Sequence, residues 1–153
     1  MERTLMLLKP SAVLRGLMGE VIKRIEQKGL KICGMKMMQL DDRILAEHYS
    51  HLVDKPFYPT ICEHMKASPI VALCIEGVEA ANVVRGLTGV TNGRNAVPGT
   101  IRGDFSMSKM ENIVHTSDSP ESAVVEVKRF FSDDELFSYN QVTKSVMYAP
   151  DEV

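Results

Sequence analysis

A continuous apolar run near the start of the sequence limits the possible folds more than any other feature. Residues 3–8 read RTLMLL, and Lys9 and Pro10 follow at once. An apolar run without polar alternation is typical of a strand that is buried on both faces, because no side chain has to meet solvent. We therefore expect a central β-strand here, with Lys9 as a cation at the point where the strand ends.

Hydrophobic spacing and turn residues predict the elements that follow. The first half should contain a helix from Met18 to Gly29, a strand over about 30–40, and a helical hairpin over 41–67 capped by Asp41 or Asp42. The second half should contain a strand over 69–75, a helix after Gly77, a strand over 112–115, and a last helix after Ser119. The alternation in the second strand shifts near residues 33–34, which indicates a β-bulge.

This element order predicts the fold class. Residues 86–104 contain too much glycine for a regular element, and we expect a long glycine-rich loop, a feature that in compact domains is usually functional. The order is then βαββαβ, a ferredoxin-like α/β fold of the α+β type, with a four-stranded antiparallel sheet, the inserted helical hairpin and this loop. After about residue 138 the chain is polar without a clear period, so we expect an irregular tail on a single domain that covers 1–153.

Residues 112–118 read NIVHTSD and place His115 at the joint between a short strand and a helix. Ser119 and Pro120 are typical of a helix N-cap and first turn, so His115 should lie near a helix N-terminus, which favours a phosphate or another anion. Glu126 lies about two turns into this helix and could turn back to orient the imidazole. The predicted buried stripe of this helix is Ala123, Val124, Val127, Phe130 and Phe131.

Three basic side chains from separate segments could form a polyphosphate site. Lys9, Arg85 and Arg102 each lie at the end of an element or in the glycine-rich loop. Taken singly, each is more often a solvated surface charge. Phe57 and Tyr58 offer an aromatic surface for a base, although such a pair equally often covers a core. The sequence has neither a P-loop nor a Rossmann motif, so a nucleotide would need another phosphate site.

Composition and cysteine usage exclude several functional classes. A net charge of −2 and a pI near 6.1 give no basic face for bulk nucleic-acid binding. Three cysteines, at 33, 62 and 74, form no C-x-x-C pair, and we expect reduced core residues in a cytoplasmic protein. The N-terminus does not resemble a signal peptide, and no apolar run is long enough to cross a membrane.

The segment 112–118 resembles the N-x-x-H-x-S-D active-site signature of nucleoside diphosphate kinases. The resemblance covers nearly the whole chain and includes PGTIRGDF at 98–105 as a second specific motif. It implies a ferredoxin-like fold with an added helical hairpin. It also implies a ping-pong reaction, in which a nucleoside triphosphate such as ATP phosphorylates a histidine that then phosphorylates a nucleoside diphosphate.

The resemblance implies a role for each matching residue. His115 would be the nucleophile, and Glu126 and Ser117 would orient it. The implied nucleotide-binding residues are Lys9, Tyr49, Arg85, Thr91 and Arg102 near the phosphates, Asn112 with Lys9 at the sugar 3′-hydroxyl, and Phe57 stacked on the base. Mg²⁺ would arrive on the nucleotide, held by phosphates and water without protein ligands. Family members assemble as homo-oligomers, either hexamers or tetramers.

Several positions depart from the family pattern. Ser11 stands in place of an aspartate, Thr116 in place of glycine or alanine, and Gly93 in place of a proline. Residues 109–111 are Lys-Met-Glu where the family has an apolar residue, glycine and arginine. None of these changes removes a residue of the reaction, so we expect them to affect nucleotide affinity and assembly.

Other functions compatible with the sequence are a histidine phosphocarrier that exchanges phosphate with a protein, and a silent nucleotide-binding module of the same fold. The base surface and the three cations would be superfluous in a phosphocarrier, and a silent module would be expected to lack one of the reacting residues. A metal site at His48 and His51 would lack a third ligand beyond His64, so we expect these two residues to form an exposed helix face.

Overall fold

The computed structural model describes residues 1–153 and consists of one four-stranded sheet with helices on both faces. The strands are β1 (Glu2–Leu8), β2 (Lys31–Met38), β3 (Ile70–Gly77) and β4 (Val114–Thr116). The helices are α1 (Pro10–Leu14), α2 (Met18–Gln27), α3 (Asp42–His48), α4 (Tyr58–Lys66), α5 (Ala80–Thr88), α6 (Ile101–Phe105), α7 (Pro120–Phe130) and α8 (Lys144–Met147). The sheet order is β2-β3-β1-β4 and every pairing is antiparallel, which confirms the predicted α+β, ferredoxin-like arrangement.

Strand β1 lies inside the sheet, and its side chains alternate between two hydrophobic clusters. Leu5 and Leu7 pack with α3, α4 and α7 on one face. Met6 and Leu8 pack with α2, α5 and α6 on the other face. All four side chains are completely buried, so the apolar run forms the doubly covered strand that the sequence predicts.

The second strand and the helical hairpin follow the sequence prediction. The register of β2 against β3 shifts between Ile32 and Gly34, which confirms the bulge. Helices α3 and α4 form the hairpin, and Asp41 caps α3 by accepting a hydrogen bond from Ile44 N at 2.9 Å. The hairpin therefore begins where its capping residue predicts.

Two short helices ahead of the C-terminal tail were not expected from the sequence. Helix α1 follows β1 directly, and α6 lies in the segment 86–104, where we expect an irregular loop. Thr100 caps α6 by accepting a hydrogen bond from Gly103 N at 3.0 Å. Helices of five residues contain too few hydrophobic repeats for their period to be seen, which explains both differences.

Helix α7 begins as predicted, because Ser119 Oγ accepts a hydrogen bond from Ser122 N at 3.1 Å and Pro120 follows it. Its buried stripe differs from the prediction at Val124, which is 58% exposed. Helical rotation carries this residue away from the face that Ala123 and Val127 bury.

The C-terminal tail crosses the first residues of β2. The Tyr139 hydroxyl donates to Ile32 O at 2.7 Å, and Lys31 Nζ donates to Tyr139 O at 3.3 Å. The tail also contains α8, where the sequence shows no period. No helix combines the length and the apolar character that crossing a bilayer requires.

The three cysteines are buried and carry free thiols, as expected for core residues. Cys33 and Cys74 lie on the neighbouring strands β2 and β3, with their sulfur atoms 3.3 Å apart. Both thiols are buried and contact each other, and each side chain packs in the core as a small apolar group.

Candidate active site

A cleft opens where β1 ends, and it consists of two adjoining cavities of about 360 and 560 Å³. The smaller, polar cavity reaches His115, Arg85 and Arg102. The larger, more apolar cavity extends to Phe57 on the helical hairpin. The residues that line both cavities are Lys9, Tyr49, Thr91 and Asn112. A single elongated molecule with a charged end and a flat end therefore fits across both.

His115 is held at the base of the polar cavity by the short strand β4 and by Glu126 on α7. Strand β4 pairs with β1 so that His115 lies opposite Leu7. His115 Nε2 lies 3.0 Å from Glu126 Oε2, and the Ser117 hydroxyl donates to the same oxygen at 2.8 Å. An ionised carboxylate can only accept, so Nε2 carries a proton and Nδ1 keeps a lone pair. The ring is thereby prepared as a nucleophile at Nδ1.

Glu126 remains ionised in this position. Burial raises the pKa of Glu126, but the hydrogen bond and charge of His115 and the hydrogen bond from Ser117 outweigh burial, and the pKa lies below its usual value. The side chain of Glu126 is only 14% exposed. A negative charge therefore lies behind the ring, on the side away from Nδ1.

Lys9 anchors the opposite wall of the polar cavity. Its ammonium donates to Met110 O at 2.7 Å and to Asn112 Oδ1 at 2.9 Å, and Asn112 Nδ2 donates to Thr91 O at 3.0 Å. Burial, together with the charge of Arg102, lowers the pKa of Lys9 to about 8. A cation whose pKa is lowered in this way gains most when an anion enters the cavity.

Arg102 is buried and also binds the backbone of neighbouring segments, which the sequence did not indicate. Its guanidinium donates to three backbone carbonyls, namely Asn112 O at 3.1 Å, Gly89 O at 3.1 Å and Val114 O at 2.6 Å. Burial and the charge of Arg85 lower the pKa of Arg102 to about 10, which leaves it protonated at neutral pH. Each terminal nitrogen still has a second N–H for a ligand.

The segment that Arg102 holds contains a strained residue, Ile113, with a φ of 73°. A β-branched residue rarely adopts this left-handed conformation. Ile113 N donates to the Ser11 hydroxyl at 3.3 Å, and Ile113 O accepts from Lys9 N at 2.9 Å. Ser11, one of the departures from the family pattern, thus supports this turn. The turn also explains why β4 begins at Val114 and not at the predicted residue 112.

The apolar cavity is walled by the hairpin on one side and by the segment before β4 on the other. Phe57 is 47% exposed at its mouth, and Lys109 and Met110 lie in the lining of the facing segment. His64 on α4 contacts the Glu111 carboxylate through Nδ1, and this contact joins the two walls. The departures at 109–111 therefore lie at the edge of this cavity.

Gly93 has a structural explanation as well. It is buried, its N–H donates to Ser108 O at 3.1 Å, and an added Cβ would lie 2.3 Å from Ser106 O. Proline has no N–H and carries a Cβ, so the fold of this loop excludes the proline that is common in the family.

His48 is the functional neighbour that the sequence did not reveal. The structure contradicts the expectation that it lies on an exposed helix face, because it is 7% exposed and its ring centroid lies 4.4 Å from that of His115. His48 does not group with His51 and His64. The only sequence signal was its position directly before Tyr49.

All ten predicted site residues come together at this cleft. Eight of them line it, and Ser117 and Glu126 lie behind His115 and bind its ring or each other. Basic side chains around a nucleophilic imidazole, next to an apolar cavity with an aromatic ring, define a phosphotransferase that acts on nucleotides.

Comparison with known proteins identifies the family. Residues 2–136 match the family model described as nucleoside diphosphate kinase. A nucleoside diphosphate kinase of Parabacteroides distasonis is 58% identical over 99% of both chains, and one of Rhodopirellula baltica is 47% identical over 99% of this chain and 100% of the relative. A solved structure of the Halobacterium salinarum enzyme in complex with CDP matches with a TM-score of 0.94 and 38% identity, covering 97% of this chain and 99% of that chain.

The chain belongs to the nucleoside diphosphate kinase family. It is an enzyme that transfers the γ-phosphate of a nucleoside triphosphate to a nucleoside diphosphate, by a ping-pong mechanism through a phosphohistidine.

Proposed function

We propose that His115 carries the phosphoryl group on Nδ1. In the first half-reaction, the Nδ1 lone pair forms a bond to the γ-phosphorus while the bond to the β,γ-bridging oxygen breaks, and the diphosphate leaves with that electron pair. In the second half-reaction, a terminal oxygen of another diphosphate attacks the phosphorus and the N–P bond breaks. The observation that carries this proposal is the Glu126 carboxylate at 3.0 Å from His115 Nε2, which leaves Nδ1 as the free nitrogen.

The basic side chains stabilise the charge of the migrating phosphoryl group. We assign this role to Lys9, Arg85 and Arg102, and we assign hydrogen bonds to the phosphates to Thr91 and Tyr49. All five line the polar cavity. Positive groups that are fixed before the reaction stabilise a loose phosphoryl transition state without reorganisation.

The nucleoside occupies the apolar cavity in this proposal. Phe57 stacks on the base, a contact that suits every base because every base has a π-face. Asn112 and Lys9 hold the 3′-hydroxyl, and they lie at the junction of the two cavities. The bound CDP of the Halobacterium salinarum relative supports a nucleoside diphosphate as the ligand.

Mg²⁺ is the metal that we propose for the nucleotide. The residues that line the two cavities include four lysines and arginines and no carboxylate, and the one carboxylate next to the His115 ring, Glu126, is engaged by His115 and Ser117. Such a site fits an ion that is held by phosphates and water, which is the mode Mg²⁺ prefers with nucleotides. When bound, the ion neutralises phosphate charge, and we assign it no protein ligand.

We further propose that residues 1–153 form one domain that assembles into a homo-oligomer in the cytoplasm. Support comes from the edge strand β2, which beyond the residues that the C-terminal tail crosses exposes Met35 and Met37 at 59% and 56%. Large apolar side chains on an exposed sheet edge favour association with another chain. Size-exclusion chromatography with light scattering tests this, and a monomer at micromolar concentration contradicts it.

The reaction is tested with γ-labelled ATP. Label should appear on the protein as an acid-labile, base-stable adduct and should then pass to GDP, CDP or UDP. His115→Ala should abolish both steps, whereas His51→Ala, on an exposed histidine, should leave them unchanged. Undiminished exchange by His115→Ala would refute the assignment. Label that reaches no diphosphate from the panel but passes to a protein would indicate a phosphocarrier.

A further inference from the structure

Two side chains on one face of helix α7, Glu126 and Arg129, contact the imidazole rings of His115 and His48. Glu126 and Arg129 are three residues apart, a spacing that places them side by side on a helix. Glu126 Oε2 lies 3.0 Å from His115 Nε2, and Arg129 Nη1 lies 3.0 Å from His48 Nδ1. The two rings meet almost perpendicularly, at 81°. One turn of α7 therefore fixes both the reacting ring and its neighbour.

The chemistry of these two partners determines where the protons lie. A guanidinium only donates, so Arg129 makes Nδ1 of His48 an acceptor. A neutral imidazole whose Nδ1 accepts carries its proton on Nε2. Glu126 does the opposite to His115, because a carboxylate holds the proton on Nε2 and frees Nδ1. One ring of the pair has a free lone pair and the other has none.

Burial keeps His48 in this neutral form. Burial, the charges of His115 and Arg129, and to a smaller extent His51, lower the pKa of His48 to about 3, although Glu126 opposes this shift. His48 Nε2 is buried and has no hydrogen-bond partner. Its proton is therefore held inside the site without an acceptor of its own.

Arg129 is anchored well enough to keep this arrangement. Its side chain is 14% exposed, and its Nε lies 3.4 Å from Glu47 Oε1. Glu47 and His48 are consecutive residues of α3, so the guanidinium joins the end of α3 to α7. A fork with two partners on one helix has little freedom to release the ring.

Without the hydrogen bond from Arg129, the same geometry could bind a metal ion. One ligand atom from each of His48, His115 and Glu126 lies within 4.8 Å of the others, a separation that suits a transition-metal ion. An imidazole binds a metal or a phosphoryl group only through a nitrogen lone pair. Because Nδ1 of His48 accepts from Arg129 and Nε2 carries the proton, the His48 ring has no lone pair to offer a metal ion.

We propose that Arg129 is a positioning residue that prevents His48 from acting as a nucleophile or as a metal ligand. His115 is then the only reactive ring of the pair, and His48 is a fixed ring that packs against it. This inference rests on the proposed role of His115. It goes beyond that role, because it assigns a function to two residues that need not touch the nucleotide.

The test compares Arg129→Met with Lys128→Met, an exposed neighbour on the same helix, and with Arg129→Lys, which keeps a donor. Nitrogen-15 NMR of the histidine rings reports the protonated nitrogen directly. We expect His48 protonated on Nε2 in the wild type and in Lys128→Met, and a loss of this pattern in Arg129→Met. Turnover should fall about tenfold in Arg129→Met, because the ring against which His115 packs is no longer held in place, and Arg129→Lys should recover part of it.

Calorimetric titration of the nucleotide-free protein with Zn²⁺ gives a readout that a merely structural role would not change. Arg129→Met should bind Zn²⁺ at least about tenfold more tightly than the wild type, and adding His48→Phe should remove the gain. A wild-type His48 protonated on Nδ1, or equal Zn²⁺ affinity in Arg129→Met and wild type, would overturn the inference. Neither result would affect labelling of His115, so failure here is distinct from failure of the proposed function.

Discussion

Replacing Glu126 with glutamine tests whether charge behind His115 drives the first half-reaction. The side chain keeps its size, and its carbonyl oxygen can still accept from His115 and Ser117, which lie at 3.0 and 2.8 Å from Glu126 Oε2. The negative charge is lost. In the proposed reaction the His115 ring gains positive charge as Nδ1 bonds to phosphorus, and a glutamine amide balances this charge far less well than a carboxylate.

Two limits bound the loss of phosphorylation rate in Glu126→Gln. Exchanging a charge-assisted hydrogen bond for a neutral one costs about 1 to 1.5 kcal/mol, or about tenfold in rate. A full ion pair at about 4 Å and an effective dielectric constant of about 20 contributes about 4 kcal/mol, or nearly a thousandfold. Because the ring carries only part of a charge in the transition state, we expect Glu126→Gln to phosphorylate about a hundredfold more slowly.

The assay must follow the phosphoryl group itself. The chain contains no tryptophan, so rapid-quench measurement with γ-labelled ATP replaces a fluorescence signal. Glu121→Gln, at an exposed position of α7, is the matched control and should behave as wild type. If Glu126→Gln formed phosphoenzyme within about twofold of the wild-type rate, the electrostatic argument would be wrong, because even the lower bound requires about tenfold.

Four further outcomes follow from the site. Burial and the charge of Arg102 lower the pKa of Lys9 to about 8, so Lys9 loses its charge as the pH rises through that value. The value of kcat/KM should therefore fall above about pH 8, and a pH profile that stays flat well above that value contradicts this prediction. Arg102→Ala should lower kcat by about 10² to 10³ and also lower the melting temperature in calorimetry, because three backbone carbonyls lose their donor. Phe57→Ala should raise KM about tenfold for purine and pyrimidine triphosphates alike, with little change in kcat, and an effect on one base only would refute general stacking. Gly93→Pro should lower the free energy of unfolding in urea by about 2 to 4 kcal/mol, because the N–H is lost and a Cβ would meet Ser106. Gly93→Ala keeps the N–H, so it should lower the free energy of unfolding only by the part that the steric overlap causes.

The sequence predicted the elements whose residues repeat and the site residues that lie within motifs. Strand β1 was evident because its whole length is apolar, and His115 was evident because a strand, a capping serine and a proline surround it. Helix α6 was hidden because five residues show no period. Motif residues could be assigned to the site because their side chains must converge on one ligand.

Contacts across the fold were beyond such reasoning. His48 and Arg129 are 81 residues apart, and nothing in either local pattern indicates that the two meet. The exposure of Val124 likewise depends on how α7 rotates against the sheet, which hydrophobic spacing defines only approximately. Sequence patterns thus predicted residues that the fold brings to one cleft, and the three-dimensional packing was needed to explain how they are held.

Arg102 shows why the site is already organised before a nucleotide arrives. Ile113 in its left-handed conformation costs about 1 to 3 kcal/mol, and the carbonyls on both sides of it accept from Arg102 at 3.1 and 2.6 Å. The turn directs Asn112 toward Lys9 and carries the chain into β4, where His115 lies. The guanidinium that stabilises the turn also lines the polar cavity, so its position is fixed by the backbone and not by the substrate. Backbone strain at Ile113 and the placement of the Arg102 charge are therefore coupled, and a variant that relaxed the turn should loosen Arg102 together with His115, the proposed phosphate ligand and the proposed nucleophile.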